Sequence, residues 1–384
     1  MTAIPLEPVA VPAIADVDAE AWTSIAGRSS AYSSHRWLQY VQTHTDADVV
    51  YLLARREGTV VAGLPSYLFP GDVPKFYDPQ WLLRDEWRGE RRPVVLGGVR
   101  EGYRSEILTS DTLPEPERDA AVALLLSQLR HRRARHDAIA AILYLPDRAL
   151  ELLAPLLGPG DRRFVVDAEA VIAVPEGGLP AYLADLPGKR RATVRRDQER
   201  FDRSGCLLQE SDLADCYADL GRLSAHLLGR YGRHVDPDAE VHRFQRQAAS
   251  TAGMNRVFLA RRDGRLVGFA HFLIQDDIMY ARSGGFDYSI AREAALYFNL
   301  VYYTAIRYAA QRGVKFVNYG CDALQAKVFR GARLHPLWAV LIDADQCGLG
   351  HLDYAAAERR ALAPIAALDD RVVTDTVRTW SPNH

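Results

Sequence analysis

The residues in this chain that could do chemistry are acids, tyrosines and cations gathered in its second half. Asp287 and Asp322 each follow a strand-like run, where an active-site loop would sit. There they could accept a proton or anchor an amine, provided neighbours tune the carboxyl; capping a turn is the alternative for both. Tyr280, Tyr303 and Tyr319 could donate a hydrogen bond to a substrate or to a developing oxyanion, or could serve as amphipathic core residues. Arg282, Asn299 and Lys327 accompany the two acids at predicted strand-to-loop junctions, with Arg330 next to Lys327, and the clustering of Arg282, Asp287, Asn299, Asp322 and Lys327 favours catalysis over a scatter of side chains.

A second cationic group precedes these. Five of the eight residues from 189 to 196 are basic: Lys189, Arg190, Arg191, Arg195 and Arg196. Guanidinium groups at this density suit phosphates. Arg191 and Arg195 share a face at helical spacing, while Asp197, Glu199 and Asp202 offer the alternative of a solvated, salt-bridged helix. No covalent nucleophile stands out. Cys206, Cys216, Cys321 and Cys347 have no Cys-x-x-Cys spacing, and only Cys321 falls in a plausible loop, where it reads as a small packing residue. His226, His234 and His242 are scattered, so no metal site is expected.

The elements that must position these groups come in two copies. Residues 51–63, YLLARREGTVVAG, parallel residues 257–268, VFLARRDGRLVG. In each copy an apolar strand ends in two arginines, Glu57-Gly58 or Asp263-Gly264 turns the chain, and a second apolar strand returns. The elements after each hairpin also repeat. Pro93–Leu96, a helix over about 115–135 and a strand at Ala140–Leu145 match Ile278–Ala281, a helix over about 291–312 and a strand at Lys315–Tyr319. The order β-β-β-α-β thus occurs twice. The first copy carries an extra stretch with Tyr77, Trp81 and Trp87, expected as a loop over a cleft. Between the copies lie three helices, over about 187–204, 211–229 and 238–250. The expected organisation is two α/β domains, 1–170 and 171–384, with mixed central sheets and a basic helical insert over 179–250 in the second.

Bulk properties agree with this. A chain of 384 residues suits two ordinary domains, and 48% hydrophobic with 25% charged residues is the balance of a globular protein with real cores. The net charge of −2 excludes a protein devoted to coating DNA. Without a signal-like N-terminus, an apolar run of membrane-spanning length or paired cysteines, the chain is expected to be reduced and cytoplasmic with no membrane span.

Four segments carry a family resemblance: Arg282-Ser283-Gly284-Gly285-Phe286-Asp287-Tyr288, Leu296-Tyr297-Phe298-Asn299-Leu300-Val301-Tyr302-Tyr303, Asn318-Tyr319-Gly320-Cys321-Asp322 and Ala326-Lys327-Val328-Phe329-Arg330-Gly331. On the duplicated β-β-β-α-β unit they resemble the FemAB-like branch of the GNAT acyltransferase superfamily, nearest the group labelled peptidoglycan biosynthesis or recognition proteins. The resemblance covers roughly 179–342. It implies two tandem GNAT-like (acetyltransferase) domains and an acyltransferase that forms an amide on an amine, on a small molecule or a peptide, in cell-wall or specialised-metabolite biosynthesis.

It further implies a catalytic role for Lys327, and the residues read above add Asp322, Asp287 and Tyr319 as catalytic candidates. Lys327 would hold a phosphate or steady the oxyanion. Substrate would meet Arg282, Tyr280, Asn299, Tyr303 and Arg330. Donor phosphates would meet Lys189, Arg190, Arg191, Arg195, Arg196 and Arg292. No cofactor is expected to stay bound; the donor is a co-substrate. Ordinary coenzyme A users place a glycine-rich turn before the main helix, where backbone amides hold pyrophosphate. Here Ile290-Ala291-Arg292-Glu293-Ala294-Ala295-Leu296 keeps an arginine and lacks the glycines. The expected donor is therefore aminoacyl-tRNA, with acyl-CoA as the alternative. A reading from a different class is a non-catalytic module that recognises a peptide or glycan.

Overall fold

The two Arg-Arg-acid-Gly segments fold as hairpins with the same backbone. Glu57 and Gly58 have φ of 51° and 79°, and Asp263 and Gly264 have φ of 51° and 75°. Two successive positive φ values match the right-handed twist of the flanking strands. These values come from a computed structural model that describes residues 5–27, 29–230 and 232–368.

The chain divides into two compact units. Among the described residues, those up to Glu169 together with His335–Leu368 form the first; Ala170–Leu334 form the second. Among the described residues the chain thus re-enters the first unit after Leu334. The reason is strand pairing: the last strand, residues 333–342, hydrogen-bonds to a strand of the first unit at residues 139–145.

In the first unit, strands β1 (Glu7–Val11), β2 (Asp48–Arg56), β3 (Thr59–Phe69), β4 (Val94–Gly97), β5 (Leu108–Thr109) and β6 (Ile139–Leu145) alternate with helices α1 (Ala19–Ala26), α2 (His35–Gln42), α3 (Pro79–Leu82), α4 (Glu115–Arg135) and α5 (Asp147–Leu153). Sheet order runs β1-β2-β3-β4-β6, with β5 beside β3. Of these pairs, β4 and β6 run parallel. Helix α4 carries Glu115 and Glu117 in its first turn and Arg132, Arg133 and Arg135 in its last, charges that oppose the helix dipole. Its apolar stripe, Ala121, Val122, Leu125, Leu126 and Leu129, packs on β2, β3, β4 and β6 through Leu52, Leu64, Val95 and Ile142. The extra stretch with Tyr77 forms a 3-10 turn and α3, and Tyr77 is buried against Tyr103 and Tyr144.

Strand β7 (Arg162–Ala173) carries the chain into the second unit. After it come α6 (Gly178–Asp185), α7 (Gly188–Arg203), β8 (Leu207–Ser211), α8 (Leu213–Arg230), α9 (Pro237–Ser250), β9 (Asn255–Arg262), β10 (Arg265–Gln275), β11 (Ile278–Phe286), α10 (Tyr288–Ala291), α11 (Leu296–Phe298), α12 (Ala305–Gln311), β12 (Phe316–Asn318) and α13 (Leu324–Phe329). Sheet order is β7-β12-β11-β10-β9-β8. Leu213, Cys216 and Leu220 of α8 and Phe244 and Ala248 of α9 bury one face of β9 and β10. The chain then returns through β13 (Arg333–Ile342), which pairs antiparallel with β6, and continues into α14 (Tyr354–Ala366).

One expected helix differs. The stretch from about 291 to 312 is not continuous. Ala295 is left-handed at φ 49°, and Asn299–Thr304 winds as a π-helix between α11 and α12. A wider turn there lets Tyr302 and Tyr303 both stay buried.

Candidate active site

β11 and β12 lie parallel for only three residue pairs, ending at Tyr280 opposite Asn318. Beyond that point β11 continues to Phe286 while β12 has ended, so the strands part into a fork. Beside the fork, β11 carries a bulge. His271 pairs with Ser283 and Phe272 with Ala281, which leaves Arg282 as the extra residue. A bulge sharpens local twist and re-aims side chains. Position 285 requires glycine, because a Cβ there would stand 2.6 Å from the Phe269 ring and 3.0 Å from Leu227 of α8.

One wall of the fork is aromatic and ionic. The rings of Tyr302 and Tyr319 stack at 4.6 Å. Next to them, the Tyr303 hydroxyl donates to Asp197 Oδ2 at 2.8 Å. Arg330 reaches the same oxygen at 3.4 Å, donates from Nε to the Tyr303 oxygen at 3.3 Å, and lies 3.4 Å from the Phe298 ring centroid. Asn299 Nδ2 donates to the carbonyls of Asp197 (2.8 Å) and Ala295 (3.0 Å), which ties α7 to the broken helix. Asp197, Asn299, Tyr303 and Arg330 are all buried. Burial pushes the phenols of Tyr302, Tyr303 and Tyr319 well above their usual range, so each stays a protonated donor. The Tyr319 hydroxyl is buried and meets no hydrogen-bond partner among the described residues.

Lys327 supports this wall from behind. Its ammonium donates to the carbonyls of Tyr319 (2.7 Å), Gly320 (3.0 Å) and Cys321 (2.6 Å), and the side chain is 6% exposed. An ammonium has three protons, and these three carbonyls match them.

The structure thus brings Tyr319, Asn299, Tyr303, Arg330 and Lys327 together, with Tyr280 buried at the vertex of the fork and Arg282 half-buried at the bulge. Asp322 is exposed in the loop after β12. Asp287 is engaged elsewhere: it caps α10 by accepting from Ser289 N at 3.0 Å and pairs with Arg265 at 2.9 Å. Arg292 is exposed, and its carbonyl accepts from Arg200, whose Nε also reaches the Glu293 carbonyl at 3.0 Å. On α7, Lys189, Arg195 and Arg196 are exposed and Arg191 is half-exposed. Arg190 points inward, donating to the Val328 carbonyl at 3.2 Å.

Sequence reading misses Asp197, which it makes a solvated partner of the basic run. The signal is nevertheless present: Arg190, Val194 and Asp197, spaced i, i+4, i+7, are the buried residues of α7.

Residues 178–359 match the family model FemAB_like, described as peptidoglycan biosynthesis/recognition. Among solved structures, FemX superposes with a TM-score of 0.59 at 12% identity, covering 89% of this chain and 99% of FemX. The C-terminal domain of a protein described as a putative lysylphosphatidylglycerol synthetase of Agrobacterium fabrum gives 0.55 at 15% identity, covering 91% and 97%. A tandem GNAT protein from the clavulanic acid biosynthesis pathway gives 0.50 at 13%, covering 88% and 98%. Among curated protein sequences none matches the chain. The fold is the tandem GNAT arrangement, and the segment from 178 to 359 is FemAB-like. Among the described residues no helix is long and apolar enough to cross a membrane.

Proposed function

From a FemAB-like second half on a tandem GNAT fold, we propose that the chain is an N-acyltransferase that joins an aminoacyl group from aminoacyl-tRNA to an amine at the β11–β12 fork. The observation that carries this reading is the buried Tyr319 hydroxyl, without a partner among the described residues, beside the parted strands. Amide formation needs a donor aimed at the carbonyl oxygen as it gains charge, and two reactants held in line. A phenol kept protonated by burial is such a donor. Lys327 acts on it indirectly, by clamping the three carbonyls that set where Tyr319 stands.

The donor assignment is supported by the segment before α11. A coenzyme A site would use free backbone amides in a glycine-rich turn. Here Tyr288–Ala291 is a helical turn whose Ala291 amide already donates to the Asp287 carbonyl at 2.8 Å, and Arg200 fastens the next two carbonyls. Exposed Lys189, Arg195 and Arg196, with Arg191, offer a phosphate-binding face on α7 instead.

The test is to incubate the purified chain with a panel of primary amines and peptides, offering either charged tRNA pools or a panel of acyl-CoAs. Amide product from charged tRNA that disappears after RNase treatment supports the reading. Product only from acyl-CoA overturns the donor. No amide from any donor, with binding of a peptide or glycan retained, replaces the transferase by a recognition module.

A further inference from the structure

We propose that Ser283 anchors the acceptor amine in the transfer site, and that Asn255 and His271 fix its hydroxyl so that its oxygen can only accept a hydrogen bond. The proposal rests on the fork being the place of transfer.

The chain of polarity begins at a backbone carbonyl. Asn255 Nδ2 donates to Thr251 O at 2.8 Å and to Thr251 Oγ1 at 3.0 Å. A carbonyl oxygen only accepts, so the atom facing it must be the NH2, and the orientation of the amide is settled. Thr251 spends its single hydroxyl proton on the Gln247 carbonyl, 2.7 Å away. Asn255 Oδ1 is therefore an acceptor, and His271 Nε2, 2.9 Å from it, must carry the proton. In a neutral imidazole the other nitrogen is then bare. That nitrogen, Nδ1, faces Ser283 Oγ at 3.4 Å, so Ser283 is the donor. Polarity set at Thr251 is transmitted through two side chains to Ser283.

The surroundings hold this state. Thr251, Asn255 and His271 are 0%, 2% and 1% exposed. The charges facing His271 are Arg282 on β11 and Arg243 on α9, the latter paired with Glu240 at 2.6 Å. Burial, then these two arginines, push the imidazole down to about 3. His271 is thus no base at neutral pH; its contribution is direction. Ser283, in contrast, is half-buried, with exposed Gly284 beside it, on the part of β11 that β12 no longer covers.

With its proton committed to His271, Ser283 Oγ presents lone pairs to a ligand. An amine N–H donating to it is held with the nitrogen lone pair free for the acyl carbon. The C–N bond forms as the ester C–O bond to the tRNA ribose breaks. The leaving ribose oxygen takes the proton that the nitrogen gives up, and Ser283 and His271 end as they began.

The experiment uses the full chain with the same amine panel and donor pools, comparing wild type with Ser283→Ala, Ser283→Thr and His271→Gln. Loss of a hydrogen bond in the site predicts kcat/KM for the amine lower by roughly ten- to a hundredfold in Ser283→Ala, expressed mostly in KM. Ser283→Thr, which keeps the hydroxyl, recovers most of it. Wild-type turnover shows no inflection from His271 between pH 5 and 8, and nitrogen NMR of labelled histidine finds His271 protonated on Nε2. Wild-type kinetics in Ser283→Ala, or a proton on Nδ1, overturns the proposal while leaving the transferase reading intact; Ser283→Ala serves even if His271→Gln fails to fold. Absence of amide product from the wild type with every donor removes the transfer reading, and the anchor with it.

Discussion

Asp197 and Arg330, 133 residues apart in sequence, meet inside the second unit with Nη2 3.4 Å from Oδ2, and Tyr303 donates to the same carboxylate oxygen. The two side chains are 7% and 5% exposed. Removing one partner of a buried pair leaves an uncompensated charge, which costs about 3–5 kcal/mol. Asp197→Ala should therefore lower stability in urea denaturation by that order. The double variant Asp197→Leu/Arg330→Met should lose less than either single change, because the buried charge disappears with its partner. A double variant as weak as the sum of the singles would show that the two side chains contribute independently and overturn the coupling.

Lys327 distinguishes an anchor from a phosphate ligand. As an anchor for Tyr319, Gly320 and Cys321, its replacement by Met should cost about 3 kcal/mol, since hydrogen bonds from charged groups are the stronger kind. Thermal unfolding and amide exchange over residues 319–321 read this directly. An unchanged melting temperature with weakened donor binding would place the ammonium on the donor instead.

Tyr319→Phe should separate folding from chemistry. The hydroxyl has no partner among the described residues, so its removal should leave stability unchanged or slightly raised. Turnover should fall if that hydroxyl meets the acyl oxygen. A variant equal to wild type in both respects would return Tyr319 to the core. Because burial holds the phenol un-ionised, wild-type activity should not decline through tyrosine ionisation near pH 10.

The duplicated hairpins should respond alike. At Gly58 and Gly264 an added Cβ meets nothing within 4 Å. Only the backbone then opposes Gly58→Ala and Gly264→Ala, and a left-handed L-residue costs about 1–2 kcal/mol. Equilibrium denaturation should give the same loss for both.

His271 predicts acid sensitivity. Its pKa is about 3 when folded against an ordinary 6.5. Between those values the unfolded chain binds a proton that the native one does not, so stability falls with falling pH. The contribution is complete above pH 6.5, declines by about 1.4 kcal/mol per unit towards pH 3 and then levels. His271→Gln should flatten that part of the pH–stability curve; an unchanged slope would mean that His271 titrates normally.

What the sequence alone determined was local and periodic. The Glu57-Gly58 and Asp263-Gly264 turns are legible because positive φ restricts residue type, and the amphipathic stripe of α4 is legible because burial follows a 3.6-residue period. The second-half motifs, read together, carry the FemAB-like resemblance. Tertiary structure decided the rest, because polar roles depend on partners distant in sequence. Asp197 reads as one more acid beside a basic run until Arg330 meets it from the end of another helix. Lys327 reads as a loop cation until three carbonyls close around it. β13 reads as a continuation of the second half until β6 supplies its hydrogen-bonding edge. Ser283 and His271 carry no motif of their own. Only the register of β10 against β11, shifted by the bulge at Arg282, sets them face to face beside the fork.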